Sequence, residues 1–75
     1  MRVKDAWVHT HSVRLASGEE ALVTRVVAPD GRTGFGYSLT LDATASRHMA
    51  ERFSDEPLPE EIRAAIGRIR WLGGP

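Results

Sequence analysis

The stretch that most constrains this chain is Glu20-Ala-Leu-Val-Thr-Arg-Val-Val-Ala-Pro-Asp-Gly-Arg-Thr-Gly-Phe-Gly-Tyr-Ser-Leu-Thr40. It reads as strand, tight turn, strand. In Pro29-Asp30-Gly31-Arg32, proline presets φ at the first central position, Asp30 bonds its own backbone and Gly31 supplies a positive φ. That combination predicts a type I turn closed by a bulge, which joins antiparallel neighbours. The second strand, about 21–28, carries Leu22, Thr24 and Val26 on one face and Val23, Arg25 and Val27 on the other. Apolar residues on both faces predict a central strand covered on both sides. The third strand, about 33–40, puts Phe35, Tyr37 and Leu39 on one face and Gly34, Gly36 and Ser38 on the other. Two glycines at i and i+2 predict that something packs closely there, either a helix or loop of the same chain or a ligand or partner backbone.

Before this hairpin, residues 2–13 read as a first strand, with Val3, Val8 and Val13 β-branched and Trp7 also favouring strands. Alternation sets Trp7, His9 and His11 on one face and Ala6, Val8 and Thr10 on the other. Arg14–Glu19 is the connecting loop, with Ser17-Gly18 as its turn signal. After the hairpin, Asp42 is placed to cap a helix over about 43–53, with Ala45, Met49 and Phe53 on its core side. Prolines 57 and 59 break it. A second helix over about 60–72 carries Ile62, Ala65, Ile66, Ile69 and Leu72 as an apolar stripe. Glu60 and Glu61 suit its start, and Gly73-Gly74-Pro75 predicts its end. The order is βββαα: an α+β chain, a three-stranded antiparallel meander followed by two helices, expected against one face of the sheet.

Size and composition narrow the function classes. Seventy-five residues make one domain, and a core of that size supplies only about 3–5 kcal/mol of net stability. There is no cysteine, hence no disulfide and no thiolate metal site. A partner chain or a homo-oligomer is therefore expected. Formal net charge is zero and no basic stripe exists, which argues against nucleic acid. The five aromatic residues are too scattered for a base-stacking platform. No apolar run approaches the roughly 18 residues of a membrane span, and the start lacks the features of a signal peptide. A cytoplasmic location is expected.

Candidate chemistry is sparse. His9 and His11 share a strand face at ligand-competent spacing, but a zinc site needs a third protein ligand. His48, the remaining histidine, lies on a predicted helix. Gly31-x-x-Gly34-x-Gly36 follows a turn and does not open a helix, so it lacks the context of a phosphate loop. No serine lies in a nucleophile elbow. Asp55-Glu56 and Glu60-Glu61 flank prolines and a helix start, which accounts for them structurally. No catalytic residue, no metal ligand and no bound cofactor is assigned to this chain.

The hairpin with its Pro29-Asp-Gly-Arg-Thr-Gly-Phe-Gly36 turn and strand, the preceding strand from Val3 and the following helix from Asp42 resemble the N-terminal capping domain of the mandelate racemase/muconate lactonising enzyme family, in the enolase superfamily. The likeness runs from about Val3 to Phe53. In that family a (β/α)8 barrel holds the Mg²⁺ and the acid–base residues, while the cap closes over the barrel mouth and helps select a carboxylate such as a sugar acid. The resemblance implies a cap that is not catalytic alone, acting with a separate barrel chain as a lyase or isomerase of the dehydratase or racemase type. It also implies substrate-facing positions in the first loop, Leu15, Ser17 and Glu19, and just past the third strand's glycines, Tyr37 and Ser38. Many members follow the Gly-aromatic-Gly with Glu, where this chain has Tyr37-Ser38. A barrel takes about 250 residues, so only the cap is represented here. The alternative is a small homo-oligomeric binding or structural domain without enzymatic role.

Overall fold

A computed structural model describes residues 2, 3, 5–51 and 58–71. Four strands and two helices follow in order: β1 (Arg2–Val3), β2 (Ala6–Arg14), β3 (Glu20–Val27), β4 (Thr33–Ser38), α1 (Ala43–Glu51) and α2 (Glu60–Arg68). All neighbouring strands are antiparallel, in the order β1-β2-β3-β4. The three long strands followed by two helices are the α+β meander expected. The first strand differs in detail. The chain breaks at Asp5, whose φ of 67° lies in the left-handed region, and Arg2–Val3 doubles back to pair with Trp7 and Ala6. Aspartate tolerates that conformation better than most residues.

The two long hairpins close with the same geometry. At one end Gly31 N–H donates to the Ala28 carbonyl (2.9 Å), Ala28 N–H donates to the Arg32 carbonyl (2.8 Å), and Gly31 has φ 91°. At the other, Gly18 N–H donates to Leu15 (2.9 Å), Leu15 N–H to Glu19 (2.8 Å), and Gly18 has φ 92°. Both are type I turns with the glycine in the bulge position, where a side chain would be strained. The predicted Pro-Asp-Gly turn is therefore present, and the Ser17-Gly18 turn repeats it. Asp30 accepts from Arg32 N–H at 3.0 Å and from Arg32 Nε at 2.8 Å. That backbone N–H above all, and then the Arg32 charge, hold the Asp30 carboxyl below its usual 3.8.

β3 is central, as its two apolar faces predict, but the helices take opposite faces of the sheet and do not share one. On one face Val8, Val26 and Ala50 form a buried cluster with Ala6 packed against it, which seats α1. On the other, Ala21, Val23 and Ile62 are buried together, joined by Val13, Leu15, Tyr37, Ile66, Ile69 and Trp71, which seats α2 and the residues after it. The physical reason is the pattern of β3 itself. With valines on both faces, a single layer of helix would leave half of them in water.

The first helix begins where Asp42 predicts. Its Oδ1 accepts from the N–H groups of Thr44 (3.0 Å) and Ala45 (3.3 Å). Its buried face is turned by one residue from the expected one. Ser46 and Ala50 are buried, whereas Ala45 is exposed and Met49 is 40% exposed. The glycine strand decides this. A Cβ on Gly36 would overlap the Ser46 carbonyl oxygen and come within 2.8 Å of Ala50 N and 2.9 Å of Met49 Cβ. Only the small residues of α1 can meet the sheet at that separation. Phe53 lies outside the described residues.

The second helix ends at Arg68, before the predicted boundary at 72. Ile69 is extended (φ −71°, ψ 132°), and its N–H donates to the Ala65 carbonyl at 3.0 Å. In a helix, residues 69 and 71 would point about 200° apart. In an extended segment they share a side, so both Ile69 and Trp71 reach the sheet while Arg70 is exposed. Leu72 and the terminal glycines lie outside the described residues. Among the described residues no helix is long and apolar enough to cross a membrane.

Candidate functional site

One end of the sheet gathers the positions expected to face a substrate. β3 begins there, paired Glu20 with Arg14 and Leu22 with Ser38, so the 15–19 turn and the exit of β4 are neighbours. Their side chains divide by role. Leu15 and Tyr37 are half-buried and belong to the apolar cluster under α2. Ser17 and Glu19 are exposed on the turn, where Ser17 Oγ accepts from Glu19 N–H at 3.4 Å. Ser38 is half-buried on the opposite face; its Oγ accepts from Thr40 N–H at 3.2 Å and lies 2.9 Å from Thr40 Oγ1. The structure thus brings all five to one end, with Leu15 and Tyr37 on one side of the sheet and Ser38 on the other. The end is also tied to α2, because Ala16 N–H donates to Glu61 Oε1.

Two leucines stand out beside them. Leu39 is 52% exposed and Leu41 is 71% exposed, in the four residues that lead from β4 to α1. A lone exposed leucine needs no explanation. Two within three residues, next to an exposed turn of another hairpin, give this end an apolar spot with a polar rim.

The middle of the α2 face holds a second group. His9, Arg25 and Phe35 lie side by side across β2, β3 and β4. Trp7 stacks on His9, ring centroids 6.5 Å apart and planes 9° from parallel. Trp71 lies 6.3 Å from Phe35, and the Arg25 guanidinium carbon sits 5.1 Å from the Trp71 ring centre. The sequence places Arg25 on a strand face among valines and passes over it as a site. Its setting depends on Trp71, 46 positions on, which reaches it only because the chain leaves α2 early. His11 shares this side and is exposed, while His48 lies on α1 across the sheet. Among the described residues no three His, Asp or Glu side chains are grouped to hold a metal ion.

Comparison of the chain with protein-family models, with curated proteins and with solved structures finds no match.

Proposed function

We propose that the chain is a non-catalytic capping domain of the mandelate racemase type, docking on a separate (β/α)8-barrel chain with the end of the sheet where the 15–19 turn meets residues 37–41. The observation that carries this reading is the exposed pair Leu39 and Leu41 beside Ser38, at the same end as the loop that a cap would turn to its substrate. The order of meander and helix supports it, as does the resemblance of Pro29–Gly36. In this reading the barrel supplies Mg²⁺ and the acid–base groups of a sugar-acid dehydratase or racemase. The cap supplies apolar contact and exposed hydroxyl and carboxylate groups from Ser17 and Glu19 at the rim. A cytoplasmic location goes with it, and nucleic acid and membrane have no part in it.

Mixing with a candidate barrel chain tests it. The expected result is a stable complex with Mg²⁺-dependent turnover of a sugar acid, weakened at least about tenfold by Leu39→Asp with Leu41→Asp, since few buried anchors carry most of an interface. No complex with any barrel partner refutes it.

A second reading, a small homo-oligomeric binding or structural domain, rests on a different observation. Beyond Ala6 and Trp7, the outer side of β2 pairs with no described strand. An open edge of this length invites pairing with another chain. Sedimentation at several concentrations separates the two: a strict monomer that binds a barrel chain supports the cap, and self-association through β2 supports the oligomer.

A further inference from the structure

Arg25 stands out because, among the described residues, it combines a half-buried place on the central strand with no ion pair and an unpartnered buried nitrogen. The ion pairs of the described residues are Arg14–Glu20 (3.3 Å) and Arg32–Asp30 (2.8 Å), both at exposed turns. Arg25 Nε is shut off from solvent and makes no hydrogen bond, and the two terminal nitrogens are not among the buried unpartnered atoms of the described residues. None of the described side chains that β2, β3 and β4 place on this face is acidic. The contact that holds the guanidinium is the face of Trp71.

Taking part of a guanidinium out of water costs free energy that proteins ordinarily offset with a carboxylate. A cation–π contact offsets only some of it, about 0.5–2 kcal/mol. It also fixes the plane of the guanidinium, leaving a rigid fork of terminal N–H donors that suits a planar, bidentate acceptor. Aromatic groups flank that fork: Trp71 over it, Phe35 on one neighbouring strand and His9 on the other, with Trp7 stacked behind His9.

From this we infer that Arg25 is a binding site for a small monocarboxylate with an apolar body. The carboxylate accepts from the Arg25 terminal nitrogens, and the apolar part lies against Trp71 and Phe35. A single positive charge matches a single negative one. A phosphate dianion would remain half-neutralised beside aromatic rings, at a larger desolvation cost. The site is in the middle of the α2 face, not at the docking end, so it does not rest on the capping reading.

Trp71 reports on the site directly. Titrating the full chain with cyclohexanecarboxylate, which is transparent where tryptophan emits, should give a saturable fluorescence change with a dissociation constant on the order of 1 mM. The signal should persist in Trp7→Phe. Acetate should bind about tenfold more weakly, since it lacks about five buried methylenes' worth of apolar contact of which only part can be realised. Inorganic phosphate should not saturate over the same range. Folded Arg25→Gln, checked by circular dichroism, should lose at least about tenfold, the worth of a charged hydrogen-bonded pair. Arg25→Lys should fall between, keeping the charge and losing the fork. The inference is overturned by a wild-type titration without saturation up to about 50 mM. It is equally overturned by an unchanged curve in folded Arg25→Gln, or by phosphate binding as tightly as the carboxylate.

Discussion

The two faces of the sheet bury helices in different ways. On the α1 face, contact is between backbones. Gly36 faces the Ser46 carbonyl and Ala50 N, and no side chain fits between. Approach that close leaves polar groups inside, and they are satisfied there. Ser46 Oγ is within hydrogen-bonding reach of Thr24 Oγ1 (2.7 Å) and the Leu22 carbonyl (3.3 Å), and Thr24 Oγ1 lies 3.2 Å from Thr10 Oγ1. On the α2 face, contact is between side chains. Ile62, 2% exposed, seats on Ala21 and Val23, and larger groups, Tyr37, Trp71 and Phe35, spread outward from it. Small residues give one face a fixed separation and a hydrogen-bonded interior. Large ones give the other face room for a half-buried arginine. The difference shows why the half-buried arginine lies on the α2 side, where side chains and not backbones set the separation.

The comparison can be broken by substitution. Ile62→Ala should have the largest effect, about 2–5 kcal/mol, against a total of about 3–5 kcal/mol for a chain of this size. Thermal unfolding followed by circular dichroism should show little cooperative transition. A sharp transition near the wild-type midpoint would mean that α2 is not anchored there. Gly36→Ala comes next, at the upper end of the about 1–3 kcal/mol typical of overpacking, because its neighbours are backbone atoms that cannot swing away. Urea unfolding measures it, and a neutral result would deny the close seating of α1. Ser46→Ala should cost about 1 kcal/mol, since Thr24 keeps Thr10 as a partner. Thr24→Val combined with Ser46→Ala should cost less than the sum of the two, because both remove the same bond.

The smallest effect is at the Pro-Asp-Gly turn, which belongs to neither face. Asp30 has its pKa lowered in the folded chain. Its stabilising contribution is therefore complete above the unfolded value near 3.8 and is lost as pH falls through the lower folded value. NMR titration of the side-chain carboxyl should show the lowered midpoint. Arg32→Gln should return it only part way, because the Arg32 backbone N–H is the larger cause and survives the substitution.

What could be read from residues alone was local or periodic. The Pro29–Arg32 turn, the Asp42 cap and the central place of β3 depend on neighbours in sequence or on period-two patterning. That something approaches Gly36 closely was also legible, whereas its being α1 and not a ligand or partner backbone came only from the fold. The face of α1 was not. Hydrophobicity favours Met49 inside, but Ser46 takes the buried position because its hydroxyl finds Thr24, 22 residues earlier, and because the helix backbone at Ser46 and Ala50 lies directly against Gly36. The early end of α2 was hidden for a similar reason. Helical spacing accounts for Ile62, Ala65 and Ile66, and only tertiary contact explains why Ile69 and Trp71 abandon it. Of the candidate site, the gathering of residues 15–19 with 37–38 followed from meander topology. The division of Leu15 and Tyr37 from Ser38 follows from strand parity, while the surroundings of Arg25 required the path of the chain after Arg68.

The seating of Ile62 on Ala21 and Val23 also bears on the order in which the molecule assembles. The two hairpins join segments close in sequence, so their turns can close early and at little entropic cost. The contact from Ile62 to Ala21 spans 41 positions, and it becomes worthwhile only once β3 is already paired on both sides. Docking of α2 is then expected late on the folding path. Weakening it should speed unfolding and barely slow folding, whereas damage to the Pro29–Arg32 turn should do the reverse.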